Sequence, residues 1–168
     1  MSFDKDIIGR EICYSGCLEC ALGSHSVMSP GKLIYENSLI VVHPHLFVKL
    51  KGFIVISPKR HVSHVSELTE QEKYSIGEAI ERIKQAFVFN QISENVTVQY
   101  VEKDHLEVWV AAQVHPLLEN SIDIKKFSSE QAMRYYGITP STSFEILYVV
   151  QILKTYFTAK TFIESNSI

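Results

Sequence analysis

Residues 105–112, His-Leu-Glu-Val-Trp-Val-Ala-Ala, alternate strictly, with His105, Glu107 and Trp109 set against Leu106, Val108 and Val110. Successive side chains of an extended chain point to opposite faces, so one face is aliphatic and the other carries an imidazole, a carboxylate and an indole. Such a run has to sit in a sheet. Val96–Val101 offers the partner strand, with Glu102-Lys103-Asp104 as the turn of the hairpin.

Further strands and one strong helix surround this hairpin. Lys32–Asn37 opens a first strand, Asn37-Ser38 marks a turn, and Leu39–His43 forms a second strand that Pro44 breaks. Gly52–Ser57 is a short apolar run ended by Pro58, which reads as a buried strand. Thr69-Glu-Gln-Glu72 is a capping box, and Ile76, Ile80, Ile83 and Phe87 follow at helical spacing to about residue 89. After Pro116 the character changes: Ser128-Ser-Glu-Gln131 starts a short helix closed by Gly137. Thr142-Ser-Phe-Glu145 caps a longer one carrying Leu147, Val150, Ile152 and Leu153. The expected class is α+β, an antiparallel sheet with one long helix after its third strand. Residues 1–114 form the domain and 115–168 a helical C-terminal extension, packed on that domain or on a second subunit.

Composition sets modest bounds. A chain of 168 residues, 46% apolar, can bury a core, and a formal charge of −3 without massed Lys or Arg gives no nucleic-acid footprint. The N-terminus lacks the basic and apolar regions of a signal peptide, and no apolar stretch reaches the length of a membrane span, so the expectation is a cytoplasmic protein. Asn95-Val-Thr97 fits a glycosylation acceptor but carries no meaning without a secretory signal.

Cys13, Cys17 and Cys20 are the only cysteines, and an odd count argues against a disulfide framework. Cys17-Leu-Glu-Cys20 suits a metal knuckle, because two thiolates at this spacing reach one tetrahedral ion. Two incidental reduced thiols would give the same pattern. Redox chemistry fits less well, since no strand precedes the pair and no helix pattern clearly follows it. His25 lies near enough in sequence to be a third ligand.

The order of these pieces resembles the histidine-triad superfamily, which includes dinucleoside polyphosphate hydrolases, nucleoside phosphoramidases and galactose-1-phosphate uridylyltransferases. The resemblance covers about residues 13–113. It runs from the C-x-x-C through Lys32–Asn37 and Gly52-Phe-Ile-Val-Ile-Ser-Pro-Lys-Arg-His61 to Glu67-Leu-Thr-Glu70, a helix and a hairpin. It implies a histidine nucleophile that attacks an α-phosphorus with one ring nitrogen while a hydrogen bond holds the other. In some members it also implies a zinc ion on the C-x-x-C pair, the histidine of the Pro-Lys-x-His block and the first triad histidine.

Two registers follow from the resemblance. In the first, His105 takes the leading place, Glu107 replaces the nucleophile and Trp109 the third member. The zinc set is then Cys17, Cys20, His61 and His105, and nucleotidyl transfer is lost because a carboxylate and an anionic phosphate repel unless a cation intervenes. In the second, His105 is the nucleophile, Glu107 stands where uridylyltransferases carry glutamine, and Lys103 falls where a metal ligand belongs. Periodicity puts the same side chains on one face in both.

Two departures favour the first register: Phe53 stands where the family usually has histidine, and Val42-His43-Pro44-His45 lacks the usual ribose-binding acid or amide. The resemblance thus implies a zinc-stabilised module that binds a small, nucleotide-like ligand or a partner, its pocket lined by His43, Phe53 and Trp109, without ordinary nucleotide hydrolysis. Bound zinc would add on the order of 10 kcal/mol of apparent stability. Against it stand an active nucleotidyl hydrolase or transferase using His105, and an enzyme of altered chemistry with Glu107 as general acid or base. The superfamily also implies a homodimer through a shared sheet edge. His105, Glu107 and Trp109 have bland readings too: an exposed hairpin histidine, a solvated carboxylate and an indole packed under the tail.

Overall fold

The computed structural model describes residues 2–112, 133–134 and 137–165. Its first elements, strands β1 (Ser2–Lys5) and β2 (Glu11–Tyr14), pair antiparallel as a separate hairpin. Asp6 shapes the turn, accepting from the Ile8 and Arg10 N–H groups at 3.0 and 2.9 Å and pairing with the Arg10 guanidinium at 2.8 Å. Helix α1 (Leu18–Gly23) follows, its N-cap the Cys17 sulfur, which accepts from the Cys20 N–H at 3.5 Å. The expectation that neither strand nor helix flanks the cysteine pair is therefore corrected. Elements of four and six residues are too short to show a period, and a thiol is not among the usual caps.

The main sheet comprises β3 (Tyr35–Glu36), β4 (Ile40–Pro44), β5 (Phe53–Pro58), β6 (Val96–Val101) and β7 (Glu107–Ala112), ordered β3-β4-β5-β7-β6 with every pairing antiparallel. A 3₁₀ turn (Val65–Glu67) and the long helix α2 (Glu70–Phe89) follow the third of these strands, so the α+β class and its helix placement are as expected. Lys32 adopts φ +67°, which takes it out of the expected first strand, and the paired strand spans only Tyr35–Glu36. The Asn37 side chain accepts from the Leu39 and Ile40 N–H groups and makes the turn into β4. Pro44 ends β4 rather than breaking it earlier, paired with Ile54.

Alternation gives the sheet two faces. On one, Ile40, Val42, Ile54, Ile56, Val108 and Val110 meet Ile76, Ile80, Ile83 and Phe87 of α2. The final helix α3 (Ser143–Ser165) adds Val149, Val150, Leu153 and Phe157 to the same core. On the other face, Phe53, Val55, Trp109 and Ala111 are covered by Val48, Met133 and Ile138. His43, Ser57 and Glu107 lie on this second face by strand alternation. Gly137, at φ +74°, closes a helical end: its N–H bonds the Arg134 carbonyl and Ile138 N–H bonds Met133. The helix start expected at 128–131 lies outside the described residues.

Candidate metal centre

Four side chains from three places converge. Cys17 and Cys20 come from the cap and first turn of α1, His61 from the loop beyond β5, and His105 from the residue pair before β7. Their ligand atoms all lie within 4.8 Å of one another. His105 Nδ1 is 3.2 Å from Cys17 Sγ and 3.6 Å from Cys20 Sγ, and His61 Nδ1 is 3.3 Å from Cys20 Sγ. Tetrahedral zinc–sulfur and zinc–nitrogen bonds separate neighbouring ligand atoms by about 3.3–3.8 Å, so this donor set fits that ion.

The tautomer agrees with ligation. His105 Nε2–H donates to the Pro58 carbonyl at 3.0 Å, which leaves the Nδ1 lone pair facing the sulfurs. Burial, with the neighbouring His61 and Lys103 charges, holds this imidazole below its usual pKa despite that bond, which keeps it neutral. Burial and the adjacent Cys17 sulfur push the Cys20 thiol up to about 11, so its thiolate needs a compensating cation.

Behind the cysteines lies a buried polar cluster. The Glu19 carboxylate oxygen Oε2 accepts from Ser57 Oγ at 2.6 Å and from His43 Nε2 at 3.0 Å, and His43 Nδ1 donates to the Pro44 carbonyl at 2.9 Å. Burial alone would raise the Glu19 carboxyl, but the His43 charge and the two hydrogen bonds outweigh it and hold the group well below the usual carboxylate range. The same contacts overcome burial at His43 and raise its pKa. Both His43 nitrogens are thereby committed to the protein.

Glu107 is buried as well, rather than solvated. Its Oε2 accepts from Trp109 Nε1 at 2.7 Å and its Oε1 pairs with Lys103 Nζ at 2.6 Å. Burial and the Glu19 charge push its carboxyl up, and Lys103 offsets this only in part. Trp109 meets Phe53 edge-on at 5.6 Å, and His45 stacks on Phe53 at 4.7 Å. These rings pack directly against one another, and Phe53 and Trp109 belong to the second core.

No family model and no curated protein sequence matches this chain. Solved structures match it in fold. A zinc-bound histidine triad family protein from Mycobacterium smegmatis superposes with a TM-score of 0.61 at 11% identity, over 86% of this chain and 95% of its own. A Hit-like protein involved in cell-cycle regulation from Bartonella henselae gives 0.59 at 10% identity, over 86% and 99%. The fold is histidine-triad-like. A uridylyltransferase shares it at 0.57 and 16% identity; this chain spans 46% of that longer protein.

On this histidine-triad-like scaffold, the residues singled out from sequence separate into groups. Cys17, Cys20, His61 and His105 come together; Glu107, Trp109 and Phe53 form a second, contiguous group with Lys103 and His45. His43 joins neither, and His25 pairs with Glu36 at 3.3 Å instead of entering the metal cluster. Sequence reasoning missed Glu19 and Ser57, since nothing local marks a charged helix residue or a strand serine as buried.

Proposed function

We propose that this chain is a histidine-triad-like module stapled by zinc through Cys17, Cys20, His61 and His105, which binds a small nucleotide-like ligand or a partner without ordinary nucleotide hydrolysis. One observation carries the reading: His105 directs one nitrogen at both cysteine sulfurs and the other at the Pro58 carbonyl, so neither is free to attack phosphorus. His105 then holds the leading triad place and Glu107 the nucleophile's. Both oxygens of the buried Glu107 carboxylate are engaged, one by an indole N–H and one by an ammonium, so neither is free to attack phosphorus. Zinc, when bound, supplies a cross-link between α1, the loop after β5 and the start of β7. Residues 1–114 carry this site, and α3 of the extension packs with α2 on the opposite, aliphatic face of the sheet.

The test is the metal content of protein purified without added zinc, beside a His105→Ala variant, together with trapping of a labelled nucleotide. Near-stoichiometric zinc that the variant loses, and no labelled protein, is the expected result. Zinc retained unchanged in the variant, or a nucleotide adduct on His105, overturns it. The raised Glu107 carboxyl favours a second reading, in which this group is a general acid or base. That reading requires an activity that survives His105→Ala and is lost in Glu107→Gln.

A further inference from the structure

Ser57 and Pro58 are adjacent at the end of β5, and each reaches one half of the candidate ligand set. The Pro58 carbonyl orients His105, while the Ser57 hydroxyl donates to Glu19, one of the two residues between the cysteines. His43, from the neighbouring strand β4, donates to the same Glu19 oxygen. Glu19, His43 and Ser57 are 5%, 1% and 0% exposed, so no substrate reaches them. Their work is done inside the protein.

We propose that Glu19 is a positioning residue for the metal knuckle: one carboxylate oxygen, held by Ser57 and His43, clamps α1 onto β4 and β5 so that both cysteines meet His61 and His105 at ligating distance. This rests on the zinc reading above. Two physical points support it. A helix of six residues does not hold its own shape, because nucleation costs more than so few hydrogen bonds return. The apolar contacts of α1 are fullest in its C-terminal half, where Ala21 and Leu22 are buried with Ile12, Val27 and Leu46, while at the cysteine end the partly buried Leu18 packs against the same cluster without fixing the direction of the two sulfurs. A buried carboxylate–imidazole pair is also a poor source of stability compared with apolar packing of the same volume. Its directional hydrogen bonds provide instead a defined orientation for the backbone that carries them. Outer-shell hydrogen bonds made to a metal ligand itself commonly account for about 10–100-fold in metal affinity; the Glu19 clamp acts one step further out, on the backbone that carries both cysteines.

The experiment uses the full chain and Zn²⁺ as the probe. Zinc affinity is measured by competition with a chromogenic chelator for wild type, Glu19→Gln and Ser57→Ala. Urea unfolding of each protein is followed with zinc bound and with zinc removed. The expected result is a tenfold or greater loss of affinity in both variants, with a larger loss of stability in the zinc-bound state than in the zinc-free state. Affinities within twofold of wild type, or equal stability losses with and without zinc, overturn the proposal and leave the cluster a part of the core alone. Should Glu19→Gln fail to fold, Ser57→Ala decides the matter, since it removes one donor and keeps the His43 contact. A wild-type chain that binds no zinc sinks the zinc reading and this proposal with it. Wild type that binds zinc beside variants that bind equally well sinks only the positioning role.

Discussion

The Nδ1 of His45 accepts from the backbone N–H groups of Phe47 and Val48 at 3.2 and 3.1 Å, so a proton there would remove both bonds. Burial first, then the Lys103 and His43 charges, lower this imidazole to about 3. The unfolded residue takes up a proton near pH 6.5, so the folded state binds fewer protons below that pH. Stability from this group is complete above about 6.5 and is lost as pH falls toward 3. We expect a loss of about 1 kcal/mol per pH unit between roughly pH 6 and 4 from this source, and His45→Asn, which keeps an acceptor, to remove that slope. Urea titrations at three pH values check it; equal slopes in the two proteins refute it. At Trp109, the single tryptophan of the chain, Phe would leave the Glu107 carboxylate without its indole donor. The expected destabilisation is about 1–3 kcal/mol, read from unfolding by circular dichroism. The metal-ligand types were legible in the sequence. The burial of Glu107 and Glu19 was not, because burial depends on what packs above a residue, not on its neighbours along the chain.

Among the elements, α2 was the most legible, since its cap is local. Thr69 Oγ1 accepts from the Glu72 N–H at 3.2 Å and the Glu72 carboxylate accepts from the Thr69 N–H at 2.8 Å, closing the box expected from sequence. Glu72 also receives the Arg60 guanidinium at 3.1 and 2.8 Å, a contact from outside the helix that no local pattern shows. Thr69→Ala is expected to cost about 1 kcal/mol, and Glu72→Ala more, because it removes the cap and the Arg60 partner together. Thermal unfolding of the two variants ranks them, and a smaller shift for Glu72→Ala contradicts the double role. The strands of the main sheet were legible to within a few residues. The β1–β2 hairpin and α1 were not, since four to six residues hold no measurable period.

For the whole molecule, α3 closes the core that the sheet and α2 leave open. Phe157 is fully buried and stacks on Tyr35 at 4.9 Å, joining residues 122 positions apart, from 35 to 157, in one cluster. Phe157→Ala is expected to cost about 3–5 kcal/mol in urea unfolding; a loss below about 1 kcal/mol would mean that α3 is dispensable to this core. Among the described residues no helix is long and apolar enough to cross a membrane. By itself, the sequence determined the class of the fold, the face on which His105, Glu107 and Trp109 lie, and the four residues able to hold a metal. Periodicity suffices for the first two, being a property of the local chain, while the four metal candidates follow from the order of motifs that resembles the histidine-triad superfamily. Which way His105 points was decided only by the tertiary structure. That direction depends on sulfurs 88 and 85 residues away and on a carbonyl 47 residues away, brought within 3.0–3.6 Å by sheet pairing and a short helix. Distances of that kind follow from packing and strand register, which alternation along one strand leaves undetermined.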